Sequence, residues 1–153
     1  MAVKGFIENP VFLSVISSLL FAQLVKTIIL LLGSKPKGLR EIFEVLIWRT
    51  GGMPSSHSSM VAAMAASIAF NEGIDSNLFV ITLMFALIII RDAVGVRRSS
   101  GIQARVLNWL GRQVSEKLKI DHHPVKEING HSPLEVVVGA LLGIIIAAAF
   151  SFL

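Results

Sequence analysis

"PVFLSVISSLLFAQLVKTIILLL", residues 10–32, is an apolar run broken by a single charge, Lys26. At 1.5 Å rise per residue it makes a helix about 34 Å long, enough to cross a bilayer with some tilt. The whole chain agrees with that reading. Its 153 residues are 54% hydrophobic and only 16% charged, and the mean hydropathy is +0.74. That is too apolar for a soluble domain and too short for two domains, so residues 1–153 form one membrane-embedded domain. The run exceeds a signal-peptide core and lacks a small-residue cleavage site, so it is a retained span. The absence of cysteine excludes disulfides and thiolate metal sites.

Working outward from this span, residues 34–53 are polar and basic. Within them "REIFEVLIWR" (40–49) sets Ile42, Phe43, Leu46 and Ile47 at helical spacing, which predicts a short interfacial helix. Ser55 or Ser56 is then a candidate cap for an alanine-rich second span ending near Phe70. At about 15 residues that span covers only about 22 Å, so its start belongs inside the bundle and not at the headgroups. "NEGIDSN" (71–77) is a polar turn, and residues 78–96 form the third span. "IQARVLNWLGRQVSEKL" (102–118) repeats apolar residues at helical spacing and suits an amphipathic helix on the membrane or against the bundle. Residues 133–153 are the fourth span, with Gly139 and Gly143 four apart, a spacing that lets helix backbones approach. The expected fold is therefore all-α: an integral membrane bundle of about four transmembrane helices with one or two interfacial amphipathic helices.

The net charge of +4 belongs to topology and not to a nucleic-acid partner, because no basic run is interleaved with stacking aromatics. Lys35, Lys37, Arg40 and Arg49 follow the first span, seven basic residues lie between Arg97 and Lys126, and residues 71–77 hold none. The excess puts both basic segments in the cytoplasm and both termini outside.

The residues able to do chemistry fall on that same side. "GHSPLEVVVGALLG" (130–143) opens the fourth span with Ser132 at the cap, Pro133 at the first helical position and Glu135 three beyond the cap, a capping-box arrangement. His131 sits just outside it, one ring nitrogen within reach of a carboxylate a turn along. His57 stands in the same relation to the second span, so two helix starts and two imidazoles are placed to converge on one phosphate-sized anion. Glu135 as nothing more than a capping residue, and either histidine as an interfacial ring bonded to backbone, are the plainer readings.

"PSSH" (54–57) and "GHSPLEVVVGALLG" resemble the second and third motifs of the type-2 phosphatidic acid phosphatase superfamily, usually PSGH and SR-x5-H-x3-D. "GGMPSSHSS", "RDAVGVRRSSGIQARVLN" and "KEINGHSPLEVVVG" look more closely like its divergent branch, small bacterial and plastid membrane proteins related to acid phosphatases and vanadium haloperoxidases. The resemblance implies a metal-independent lipid phosphate phosphatase with no cofactor, in the bacterial inner (cell) membrane, acting on a phospholipid or polyprenyl (di)phosphate through a phosphohistidine. His131 would attack phosphorus, Glu135 would orient it, and His57 would protonate the leaving oxygen. Ser55, Ser56, Arg49, Lys26, Lys126 and Arg97 or Arg98, of which Arg97 is preferred, would bind phosphate. The partners implied are the lipid phosphate and the bilayer, and a homo-oligomer is compatible.

This sequence departs from the superfamily at Ser56, where glycine is usual, and at Glu135, where aspartate is usual. The first motif's lysine and Arg-Pro pair have no counterpart, and the arginine six residues before the histidine is replaced by Val125. These departures favour an alternative, a non-catalytic protein that binds or moves anionic lipids. Lys26 shares a helix face with Gln23 and needs a partner: Asp92, the bound phosphate, or water reached by snorkelling. "DHHP" (121–124) reads as a solvated turn before it reads as a metal site.

Overall fold

A computed structural model describes residues 2–33, 38, 52–127 and 130–152. Arg49 and the helix expected over 40–49 lie outside the described residues. Among the described residues six helices follow in order: α1 (Ala2–Ile7), α2 (Pro10–Gly33), α3 (Ser56–Glu72), α4 (Asn77–Val94), α5 (Val96–Leu118) and α6 (Pro133–Phe152). There is no strand among the described residues. Their starts carry the expected chemistry. The Asn9 side chain accepts from Val11 N–H (2.9 Å) with Pro10 at the first position of α2, and Ser76 Oγ accepts from Phe79 N–H (3.1 Å) at α4.

Pro10–Gly33, the Asn77–Leu118 stretch and Pro133–Phe152 are long and apolar enough to cross a membrane. The fourth expected span is α3, whose 17 residues cover about 25 Å. It is the central helix, packing most extensively on α6, then on α2 and α4. Its start does lie inside the bundle, since Pro54, Ser55 and Ser56 are all buried. The third span ends at Val94 and the amphipathic helix begins at Val96, six residues earlier than its apolar repeat suggested. Gly95 has ψ −80°, well off the helical value, yet its N–H still bonds Arg91 O (2.8 Å) and its carbonyl accepts from Ser99 N–H (2.9 Å). The polar "RRSS" is therefore the first turn of α5 and not a loop.

The packing is inverted relative to a soluble protein. Ser14, Ser18, Ser58, Ser59, Ser67, Ala22, Ala63 and Ala147 fill the interior, while Leu20, Ile88 and Ile145 are 62–66% exposed on the outside. Small residues let helices approach, and large apolar ones face lipid. Register shows the closest pair to be parallel: Ser55 meets α6 at Glu135 and Gly139, Ser59 meets Gly143, and Asn71 Nδ2 donates to Ser151 Oγ (3.1 Å). A Cβ at Gly139 would strike the Ser55 carbonyl, and one at Gly143 the Ser59 carbonyl. Gly143→Val is expected to destabilise the protein by about 1–3 kcal/mol, the usual effect of overpacking. Thermal unfolding in detergent would check this, with Ile144→Val on the lipid-facing side as a control that barely moves.

Candidate active site

The parallel pairing of α3 and α6 brings both helix N-termini to one end of the bundle, so the positive ends of both dipoles point the same way. The junction is tied by Ser55 N–H donating to Glu135 O at 2.9 Å. Ser55 is the cap of α3: its hydroxyl accepts from Ser58 N–H (3.4 Å) and Ser58 Oγ (2.9 Å). Ser56 and His57 then supply the first amides of the helix, which belong to the set every helix start leaves without intrahelical partners. An apolar recess of about 390 Å³ lined by Phe6, Phe12, Val15, Ile68 and Leu78 lies at the opposite end of α3 and has only Asn9 and Glu72 as polar lining.

Glu135 does both things its sequence position allows. Its Oε2 accepts from Ser132 N–H (3.2 Å) while its own N–H donates to Ser132 Oγ (3.3 Å), closing the capping box. The same Oε2 is 2.8 Å from Nδ1 of His131, which is only 5% exposed. A carboxylate on Nδ1 holds the proton there and leaves Nε2 with a free lone pair. The backbone of His131 is fixed as well, its N–H donating to Ala93 O (3.3 Å) at the end of α4. Just before it, a Cβ at Gly130 would run into the backbone of Arg98, so only glycine brings the chain this close to α5.

Lys26 corrects two expectations. It does not snorkel, being 7% exposed, and its direct partner is not Asp92. Nζ donates to Ser56 Oγ at 2.7 Å, and the Glu135 charge also acts on it. Asp92 is instead bonded to Arg97, five residues on, at 2.8 Å. The His57 ring is within electrostatic reach of Arg97, His131, Lys26 and Asp92, which puts it at the same end of the bundle as those groups.

Lys26, Ser55, Ser56, His57, Arg97, His131 and Glu135 are thus brought together from four helices or their junctions. No hydrogen bond or ion pair among the described residues joins Arg98 or Lys126 to them. The Arg98 side chain is exposed and its backbone lies under Gly130, while Lys126 is exposed on the segment leading to His131. Asn108, absent from the sequence-based set, holds that segment. Its Nδ2 donates to Val125 O and Glu127 Oε1, both at 2.9 Å, and its Oδ1 accepts from Val125 N–H at 2.8 Å. The signal for it was slight, one amide in the otherwise apolar "VLNWL". Gln23 shares a face with Lys26 by spacing, and its Oε1 is buried without a hydrogen-bond partner among the described residues. The "DHHP" turn is not fully solvated: the His122 ring lies against Gly111 of α5, where a Cβ would collide with it. No group of three metal-competent side chains occurs among the described residues.

Comparison with known proteins gives the site its context. The sequence model of the Divergent PAP2 family matches residues 7–146. The chain is also 37% identical over 157 aligned positions to the uncharacterized membrane protein YuiD of Bacillus subtilis (strain 168), covering 95% of this chain and 96% of that one. No solved structure matches it.

Proposed function

Since the chain belongs to the Divergent PAP2 family and is an integral membrane protein, we propose that it is a metal-independent phosphatase. Its substrate in this reading is a phospholipid or polyprenyl (di)phosphate, which loses its terminal phosphate through a phosphohistidine on His131. The observation that carries this reading is the 2.8 Å contact of Glu135 Oε2 with Nδ1 of His131 at a helix start paired with the one bearing His57. An imidazole is an adequate nucleophile once its second nitrogen is held as a donor.

In the first half-reaction the Nε2 lone pair forms the N–P bond, the bond from phosphorus to the lipid oxygen breaks, and protonated His57 gives its proton to that oxygen. Water then attacks phosphorus, neutral His57 takes a proton from it, and the N–P bond breaks, releasing inorganic phosphate and restoring both rings. In this reading Lys26, Arg97 and the first amides of α3 hold the phosphoryl oxygens, with Arg97 offering a planar fork of donors once phosphate competes for it with Asp92. Arg49, Arg98 and Lys126 remain candidates for the approaching headgroup. The basic residues gathered at this end of the bundle support a cytoplasmic site in the bacterial inner membrane.

The test is phosphate release from purified protein in detergent, over a panel of phosphatidate, phosphatidylglycerol phosphate and polyprenyl diphosphate with EDTA present. Release from at least one lipid, unchanged by the chelator, is expected. Silence across the panel, with the same lipids still bound, supports the non-catalytic anionic-lipid reading, which the altered first motif and Glu135 in place of the superfamily's aspartate favour. Equal turnover of a water-soluble phosphomonoester would remove the lipid from the assignment.

A further inference from the structure

α5 has one covered face and one bare face. The covered side is short-chained: Gly101 and Asn108 are buried, the His122 ring lies on Gly111, and Asn108 grips residues 125 and 127. Among the described helices α5 touches only α4. Its other side presents Ile102, Val106, Trp109, Leu110, Val114 and Leu118, each 45–65% exposed. Beside that arc runs a row of arginines, Arg98, Arg105 and Arg112, at seven-residue intervals. Such a row drifts only about 20° per step around a helix, so the three guanidinium groups line one edge. Ile102 and Trp109 lie four residues after Arg98 and Arg105, one turn along the same edge.

We propose that this face of α5 rests on the surface of the protein's own bilayer and binds anionic lipid headgroups through the arginine row. Two features commit the face to lipid. α4, about 27 Å of apolar helix, spans the hydrocarbon and delivers the chain at Val96 to the membrane boundary, where Gly95 interrupts the helix. The arginines then bring to that boundary the charge that anionic phosphates attract, beside an apolar arc wide enough to sink into the acyl region. Arg98 is the residue on which Gly130 packs, so the row leads from the lipid surface to the junction before His131. A lipid phosphate held along it would be concentrated at the site's threshold. The surface assignment is independent of the phosphatase reading and stands whether or not His131 turns over.

Trp109 reports on this directly, because the chain has only two tryptophans. The Trp48→Phe protein is reconstituted in phosphatidylcholine vesicles with and without phosphatidylglycerol, using brominated versions of each lipid as quenchers. The wild type minus Trp109→Phe difference supplies the same signal should Trp48→Phe not fold. Blue-shifted emission is expected, quenched more strongly by bromines near the headgroup than by bromines near the chain ends, and shielded from acrylamide. Quenching by brominated phosphatidylglycerol should exceed that by brominated phosphatidylcholine by about threefold or more at equal fraction. That preference should vanish in Arg105→Gln/Arg112→Gln and fade in high salt. Red emission open to acrylamide would mean that α5 stands in water, and protection from both quenchers would mean that a second copy covers it. Equal quenching by the two lipids, insensitive to the arginines, would overturn the anionic assignment. Each of these sinks the proposal without touching the phosphatase assay.

Discussion

His131→Ala protein is expected to lose turnover by on the order of 10⁴-fold or more, and to retain no label after incubation with a lipid bearing a radioactive terminal phosphate. The size of the loss follows from the step removed. Without Nε2 there is no N–P bond, and water would have to attack a phosphoryl group whose leaving oxygen still needs a proton. Stability should change little by comparison, because His131 lies outside α6 and its N–H bond to Ala93 O is a backbone contact that alanine preserves. Acid-labile, alkali-stable label on the wild type and none on the variant is the expected pair of results. Full turnover in the variant would refute the phosphohistidine route whatever the substrate.

Glu135→Gln is expected to lower kcat by about 10²–10⁴-fold, the range seen when a carboxylate that orients a catalytic histidine becomes an amide. The amide keeps an acceptor oxygen for Ser132 N–H, so the helix start survives and the stability change should stay under about 1 kcal/mol. What it loses is charge. An amide also offers a donor face to Nδ1, which puts the proton on Nε2 and abolishes the nucleophilic lone pair. KM should move little, since Glu135 touches the imidazole and not the phosphate. Glu135→Asp restores the charge on a shorter arm and should fall between the two. A purely capping role for Glu135 predicts the opposite pattern, a fall in melting temperature with kcat intact.

These two variants rest on the part of the molecule that the sequence states most plainly. The capping box in "HSPLE" is local chemistry, written within five residues, and it forms as its spacing requires. The apolar runs are equally local, because a bilayer sets their length, and the pair Gly139 and Gly143 announces a close helix contact. What the pair cannot announce is the partner, and only the folded chain shows it to be the backbone of Ser55 and Ser59. Lys26 is the sharpest case. Its need for a partner is legible from its place in an apolar run, yet the partner, Ser56, is thirty residues away and no period links them. Asp92, the nearer guess by charge, is satisfied by its own neighbour Arg97. Asn108 and His122 were missed for a related reason. Both act through a segment without regular structure, where neither a heptad nor an alternation marks which side chains face inward.

The glycine seam between α3 and α6 has a mechanical corollary. Helices in backbone contact along two turns behave as one stiff bar, and His57 and the junction bearing His131 are mounted on the same end of it. The separation of the two rings is then nearly constant through a catalytic cycle, and admission of a bulky two-tailed molecule has to be managed by parts outside the bar. The hinge-like candidates are α2, which contributes Lys26, and the stretch clipped to Asn108. A spin-label pair across α3 and α6 should report one narrow distance with and without ligand, while a pair between α2 and α3 broadens.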